Sequence, residues 1–514
     1  MKAKEPNVKK KGSGLWIYLF FVILTGFFTY VFHYNYPPYP FWDEPYHVAA
    51  AQKYLNGVYF MEQHPPLGKL LIALGEKITK SDPNESKFIN TDYARNMPTP
   101  FDFTGYRLFP TILGWLTAPV LFLIFVMLTQ SPPLSALLSF LYIFDNAQIL
   151  HSRAAMLDSS LTFFTALTIL VFLALYKSAR LKDVWRYVLL SFLFGASFGL
   201  AVTTKVVGLI LILLLPAVLW RFFPNYKKII LSVVFFFAGF LLVFVSVWQI
   251  HFSRGNKVLP ELPDNGYYYY FQDDKQGGDK YKPIKQILAR RENGSLKAFP
   301  VMLWNSLKFV GHYNSGVPRL DLCKSDENGS PAYFWPFGGR TIDYRWEKSD
   351  SQYRYLYLVP NAAAWGLGAL ALIIGTIAYL GPFFFQTKER LKNYGLLGIF
   401  LALYAGYLIA VLQIHRVMYL YHYFVPLIFS YIIFGILIGN LPRIGGFVLS
   451  ENRRLLLMTF LGLLIFASFQ FMRPFTYYEP LNNDQVKARD LFPLWEIKCV
   501  ECSSNSTLVT PREK

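Results

Sequence analysis

An adjacent acid pair, Asp43-Glu44, stands in the run Phe41-Trp42-Asp43-Glu44-Pro45-Tyr46-His47. A carboxylate beside a tryptophan at the edge of an apolar block can take a proton from a hydroxyl during its attack. Capping is the plain alternative: Val48–Asn56 has helical spacing, ends at Gly57, and would carry Pro45 in its first turn. Capping accounts for one acid and leaves its neighbour unexplained. His64-Pro65-Pro66-Leu67-Gly68-Lys69 comes next, its prolines fixing a rigid turn before a helix over 67–78. Lys69 reads equally well there as a solvated charge.

Further ionisable residues stand at the ends of apolar blocks. Arg107 opens one, Asp145 lies near the end of another, and His151-Ser152-Arg153 and Asp158 bracket the connection that follows. An exposed Arg153–Asp158 pair would contribute little by itself. Lys205 stands alone after Thr203-Thr204, where snorkelling is the simple account. His415-Arg416 precede Tyr419-Leu420-Tyr421-His422-Tyr423. In a continuous helix His422 would lie roughly 9 Å deeper than Arg416 at 1.5 Å per residue. Ionisable groups at such depths are costly and mark polar cavities. If the acids Asp43, Glu44 and Asp158 meet the cations Arg107, Arg153, Lys205 and Arg416, one chemistry fits them all. Cations would hold a phosphate and stabilise it as leaving group while a carboxylate activates an acceptor hydroxyl. That is transfer from a lipid-linked phosphate to an external hydroxyl.

The elements that must position these residues are membrane spans. The 514 residues are 54% hydrophobic and only 16% charged, with a mean hydropathy of +0.30. A hydrocarbon core about 30 Å thick takes roughly 20 apolar residues per helix, and blocks of that length recur. They lie near 14–31, 107–128, 134–150, 157–176, 187–204, 206–221, 229–250, 357–381, 394–413, 417–440 and 455–472, eleven in all. The pattern excludes a soluble enzyme, a disordered chain and an outer-membrane barrel, and predicts an all-α polytopic membrane protein. Gly14–Val31 is long for a signal-peptide core and lacks a small-residue cleavage site, so it reads as an uncleaved first span.

Charge sets the orientation. Lys2, Lys4, Lys9, Lys10 and Lys11 precede the first block, and Lys177, Arg180, Lys182 and Arg186 fill one short loop. Arg221, Lys227 and Lys228, then Lys388, Arg390 and Lys392, then Arg443, Arg453 and Arg454 fill alternate ones. Such loops face the cytoplasm. Much of the net +18 is therefore topological, and no nucleic-acid partner is expected. The expected organisation is a basic tail (1–13), an N-terminal transmembrane module (14–251) carrying a catalytic first external loop (32–106), a large external loop (252–356), C-terminal helices (357–472) and an external tail (473–514). The sequons at Asn84, Asn293, Asn328 and Asn505 all fall in the outward segments. With three cysteines no disulfide scaffold is present; Cys499 and Cys502 form a C-x-x-C that reads as a local disulfide if it faces an oxidising compartment, and Cys323 stands apart.

The run FWDEPYHVAAAQKYLNGVYFMEQHPPLGKLL resembles the first external loop of the protein O-mannosyltransferases, the dolichyl-phosphate-mannose–protein mannosyltransferases of the GT-C superfamily. Tyr106-Arg107 with Pro110, SRAAMLDSSLTFF, TTKVVGL, WPFGGRTIDYRWE and HRVMYLYHYFVP follow in the family's order, so the resemblance reaches from about residue 41 to 426. It implies a GT-C fold of about 11 spans with juxtamembrane helices in the first loop and an external active site. The implied donor is a polyprenyl- or dolichyl-phosphate mannose, the acceptor a Ser or Thr hydroxyl of a secreted or membrane protein, and the reaction an inverting single displacement. Carried over, Asp43 becomes the base and Glu44 orients the acceptor. His64, Arg107, Arg153, Lys205, His415 and Arg416 become groups that grip the donor phosphate or fix the first loop, with Asp158 orienting one of these cations. No cofactor is implied with certainty, and a divalent cation beside the acid pair is left open.

Two departures qualify the likeness. The family commonly has His three residues after its Asp, where this chain has Tyr46 and then His47, which puts a role for His47 in doubt. The 252–356 loop is also too short for the MIR domain of eukaryotic members, which favours a bacterial or archaeal plasma membrane over the endoplasmic reticulum. The competing readings are a GT-C transferase acting on lipid A, a glycan or another non-protein acceptor, and a lipid-phosphate transporter or flippase. A transporter would need ionisable residues at mid-bilayer or on both faces.

Overall fold

The computed structural model describes residues 13–91, 97, 101–178, 183–257, 282–324, 327–349, 352–385, 391–444 and 446–498. The N-terminal lysines, Arg180, Lys182, Lys388, Arg390, Cys499, Cys502 and the Asn505 sequon lie outside the described residues.

Among the described residues nine helices are long and apolar enough to cross a membrane. In the N-terminal half they are α1 (Ser13–Gly26, continued by a π turn to Val31), α4 (Thr104–Thr129), α7 (Asp158–Lys177), α8 (Val184–Thr204) and α10 (Tyr226–Arg254). Ala362–Phe384, Tyr394–Leu412, Leu420–Asn440 and Glu451–Tyr477 complete the set. A tenth crossing is a bent pair, α5 (Pro132–Ile143) and α6 (Asn146–Ser152), which meet at 66°. The expected sixth span is a shorter piece, a 3-10 turn over Val206–Leu213 running into α9 (Leu214–Phe222). The chain is a multi-pass integral membrane protein. One boundary differs from expectation: 357–358 finish a strand, and the eighth helix starts only at Ala362, where Asn361 accepts a hydrogen bond from the Ala364 N–H at 3.0 Å. Tyr357 and Leu358 read as helix by apolarity alone because a buried strand and a buried helix share that signal.

Packing in the bundle relies on small residues, since lipid offers no hydrophobic drive for helix association. A β-carbon on Gly195 of α8 would lie 1.8 Å from the Phe236 carbonyl oxygen, and one on Gly239 of α10 would lie 2.1 Å from that of Phe192. Glycine at both positions is what lets these two backbones touch.

Two helices of the first loop, α2 (Glu44–Asn56) and α3 (Leu67–Thr79), lie at one end of this bundle. Gly57 ends α2 in the left-handed conformation at φ +70° and its N–H bonds back to Lys53 and Tyr54 carbonyls. At the same end β1 (Ile342–Ser349) and β2 (Gln352–Leu358) pair as an antiparallel hairpin, extended by the short strand Pro480–Leu481. The register slips between Asp343 and Arg345, leaving Tyr344 without a cross-strand partner as a bulge.

The break between α5 and α6 is built around Asp145. Its Oδ1 caps α6 by accepting from the Ala147 and Gln148 N–H groups. Its Oδ2 accepts from Trp365 Nε1 and the Tyr431 hydroxyl, both at 2.8 Å, tying the bend to the C-terminal helices. The bend redirects α6 so that His151 arrives beside the first loop.

Candidate active site

Asp43 and Glu44 are neighbours in sequence with opposite surroundings. Glu44 is fully buried and grips Arg107, also fully buried, through Nε–Oε1 and Nη2–Oε2 contacts of 2.7 Å each. The remaining N–H groups of Arg107 go to the Asn35, Pro37 and Tyr39 carbonyls. A guanidinium has five donors, and all five are used. Glu44 also accepts from the Phe41 and Ala155 N–H groups. Of the two roles expected for Arg107, gripping donor phosphate or fixing the first loop, these contacts match the second: the Glu44–Arg107 pair ties the first loop to α4 and the α6–α7 connection. Sequence could not separate these roles, because the five acceptors lie within residues 35–44, far from Arg107 in the chain, and three of them are backbone carbonyls.

Asp43 is half-buried and faces a different cluster. Its Oδ2 accepts from the Tyr421 hydroxyl at 3.3 Å. Burial raises its carboxyl above the usual range, and the nearby Lys205 and His151 pull it back. Lys205 follows the end of α8 in extended conformation, so its side chain leaves the helix axis and reaches Asp158 at 2.7 and 2.8 Å. Asp158 opens α7 and also meets His151 Nε2 at 3.1 Å. Lys205 Nζ lies over the Tyr421 ring at 5.4 Å, and the His151 ring stacks on the same tyrosine at 4.9 Å. An ammonium has three donors; two go to Asp158, and the third has no hydrogen-bond partner among the described residues.

The other expected residues divide. His64 is half-buried, and burial, with Lys205, Lys69 and Arg416 nearby, holds its pKa well below the ordinary value. It is a neutral hydrogen-bonding group near neutral pH and not a cation for phosphate. Arg153 turns away from Asp158: it donates to the His33 carbonyl and lies over the Tyr477 ring at 4.6 Å. These two contacts brace the end of the first span against the last, while Arg153 Nη1 is buried without a partner among the described residues. Arg416 is half-buried and bonds Asn314 through Nη1, while His415 is exposed. His422 does not lie a helical rise beyond Arg416, because 413–419 are not helical and a 3-10 turn over Leu420–Tyr423 precedes the helix. Lys69, read as a solvated charge, is buried and pairs with Glu62, and Tyr344 and Tyr421 stood in the sequence only inside longer motifs with no role of their own. His47, whose role the departure from the family's pattern put in doubt, is buried one turn after Asp43 with its Nδ1 unpartnered among the described residues, at the i, i+4 spacing that places both on one helix face. Among the described residues no group of three or more His, Cys, Asp or Glu is arranged to hold a metal ion.

The described helices thus form a membrane bundle that carries at one end a half-buried acid, Asp43, near the buried Lys205–Asp158 pair. The dolichyl-phosphate-mannose-protein mannosyltransferase family matches over residues 20–255, and the C-terminal four-span region of protein-O-mannosyltransferases over 304–495. The chain belongs to the protein O-mannosyltransferase family. Similar proteins include protein O-mannosyl-transferase 2 of Danio rerio, 29% identical over 46% of this chain and 33% of that protein. Dolichyl-phosphate-mannose–protein mannosyltransferase 1 of Candida albicans is 31% identical over 40% of this chain and 23% of its own. The matches thus span a third or less of these relatives. The fold is that of the S. cerevisiae protein O-mannosyltransferase Pmt1-Pmt2 complex bound to the sugar donor, with a TM-score of 0.76 at 14% identity, covering 96% of this chain and 94% of that one.

Proposed function

We propose that this protein transfers mannose from a polyprenyl-phosphate mannose to Ser or Thr hydroxyls of exported proteins, on the external face of a plasma membrane. The observation that supports this most directly is the half-buried Asp43 carboxylate facing Lys205, whose third N–H is unclaimed by Asp158. Asp43 takes the acceptor proton as the hydroxyl oxygen bonds to the anomeric carbon. The bond from that carbon to the phosphate oxygen breaks, and the electron pair leaves with polyprenyl phosphate. Lys205 meets the charge that develops on the phosphate, and Arg416 and neutral His64 supply further hydrogen bonds. A single displacement of this kind inverts the anomeric centre.

The test is transfer by purified protein from radiolabelled polyprenyl-phosphate mannose, with a Ser/Thr-rich secreted peptide and a glycan or lipid acceptor offered in parallel. Label on the peptide, lost in Asp43→Asn, is the expected result. Label on the other acceptor alone would reassign the substrate, and donor binding without transfer to either would overturn the transferase reading.

A further inference from the structure

Tyr344 is a residue the chemistry above does not use, yet it is tied more closely to the site than several that it does. It is buried and sits at the bulge of β1, where the ladder skips from Asp343–Tyr357 to Arg345–Leu356. A bulge re-aims one side chain out of the alternation of its strand. Here the ring stacks on Trp42 at 5.2 Å and on Phe41 at 6.2 Å, the two residues before Asp43. The hydroxyl comes within 2.6 Å of His151 Nδ1.

We propose that Tyr344 is a positioning residue that fixes the tautomer and ring orientation of His151, and through it the aim of Asp158 and Lys205. A phenol buried in this way stays protonated, since burial and the Asp43 and Asp158 charges raise its pKa well above the ordinary value. The ionised Asp158 carboxylate can only accept, so Nε2–H donates to its Oδ2 at 3.1 Å; Nδ1 of the neutral imidazole is then the acceptor, and the Tyr344 O–H donates to it. Asp158 then holds Lys205 through both oxygens. The ring of His151 is further confined by Tyr421 at 4.9 Å and Phe424 at 5.4 Å, so few orientations remain once Nδ1 is tied. The line Tyr344–His151–Asp158–Lys205 joins the hairpin of the C-terminal half to α6, α7 and the end of α8. By this route the external hairpin, and whatever presses on it, reaches the phosphate-binding cation.

The proposal rests on the transferase reading for its kinetic consequence but not for its physical one. Tyr344→Phe keeps the stack on Trp42 and removes only the hydroxyl. In protein labelled with ¹⁵N-histidine, the parent should show one His151 tautomer protonated at Nε2, and Tyr344→Phe a mixture. This readout needs no transfer activity, so a failed transferase assay leaves it intact. Where transfer is measured, Tyr344→Phe should lower kcat about tenfold, in line with loss of a buried hydrogen bond, with the acceptor KM unchanged. In a His151→Gln background the same change should cost less than about twofold. A full tenfold loss in that background would show that Tyr344 acts independently of His151. Unaltered His151 nitrogen shifts in Tyr344→Phe would overturn the proposal outright.

Discussion

The Glu44–Arg107 pair and the Asp158–Lys205 pair are both buried carboxylate–cation contacts of 2.7 Å, yet they differ in what they leave over. In the first, every guanidinium N–H and both carboxylate oxygens are committed to protein. In the second, among the described residues, Lys205 keeps an N–H, and the Asp43 carboxylate stands near it with one phenolic donor, Tyr421. The closed pair resists substitution and does no chemistry. The open one leaves charge incompletely satisfied, which on the proposed reading an incoming phosphate relieves. Adjacent acids in sequence thus serve two regions, one holding the loop and the other, on the proposed reading, facing the substrate.

Substitutions at each pair sharpen that contrast. Asp43→Asn should cut transfer by at least 100-fold while the melting temperature in detergent holds. Near-normal turnover would remove Asp43 from the base role. Glu44→Gln leaves a buried guanidinium without its counter-charge, and should destabilise the protein by about 3–5 kcal/mol. Thermal unfolding in detergent would show this, and an unchanged transition would break the comparison. Lys205→Gln removes a charge-assisted contact of roughly 1.5–3 kcal/mol, so the apparent donor affinity should weaken about 10- to 100-fold with the acceptor KM little altered. Arg416→Gln, at a half-buried position, should cost about two- to fivefold in the same donor titration. An equal effect at both positions would erase the distinction between the buried cluster and its rim.

The smallest effect is a displacement in pH. Asp43 must be ionised to act, and burial raises its pKa, so transfer should fall as pH drops through that raised value. The Tyr421 hydroxyl favours the ionised form. Tyr421→Phe should therefore move the acid limb of the pH–kcat/KM profile to higher pH, and an unmoved limb would detach Tyr421 from Asp43.

Sequence by itself determined the membrane class, the number and approximate limits of the apolar blocks, and the ionisable residues at their ends. These are one-dimensional properties: a span needs a length of apolar chain, and a charge at its edge is visible because it interrupts that chain. Asp43, Asp158 and Lys205 were legible for this reason, being isolated in type and position, and the ordered motifs gave the family. Only the tertiary structure divided the acid pair, because Arg107 gathers acceptors from residues 35, 37, 39 and 44 that no spacing rule connects. It alone turned Arg153 toward His33 and Tyr477, and it moved His422 out of the helix in which a uniform rise had put it. Tyr344 and Tyr421 lay inside motifs the sequence offered, but nothing marked them off in role from the other tyrosines of the chain's 35. A tyrosine's type says little when aromatics are abundant, and its role here comes from a bulge and a 3-10 turn, shapes set by pairing and packing between segments far apart in the chain.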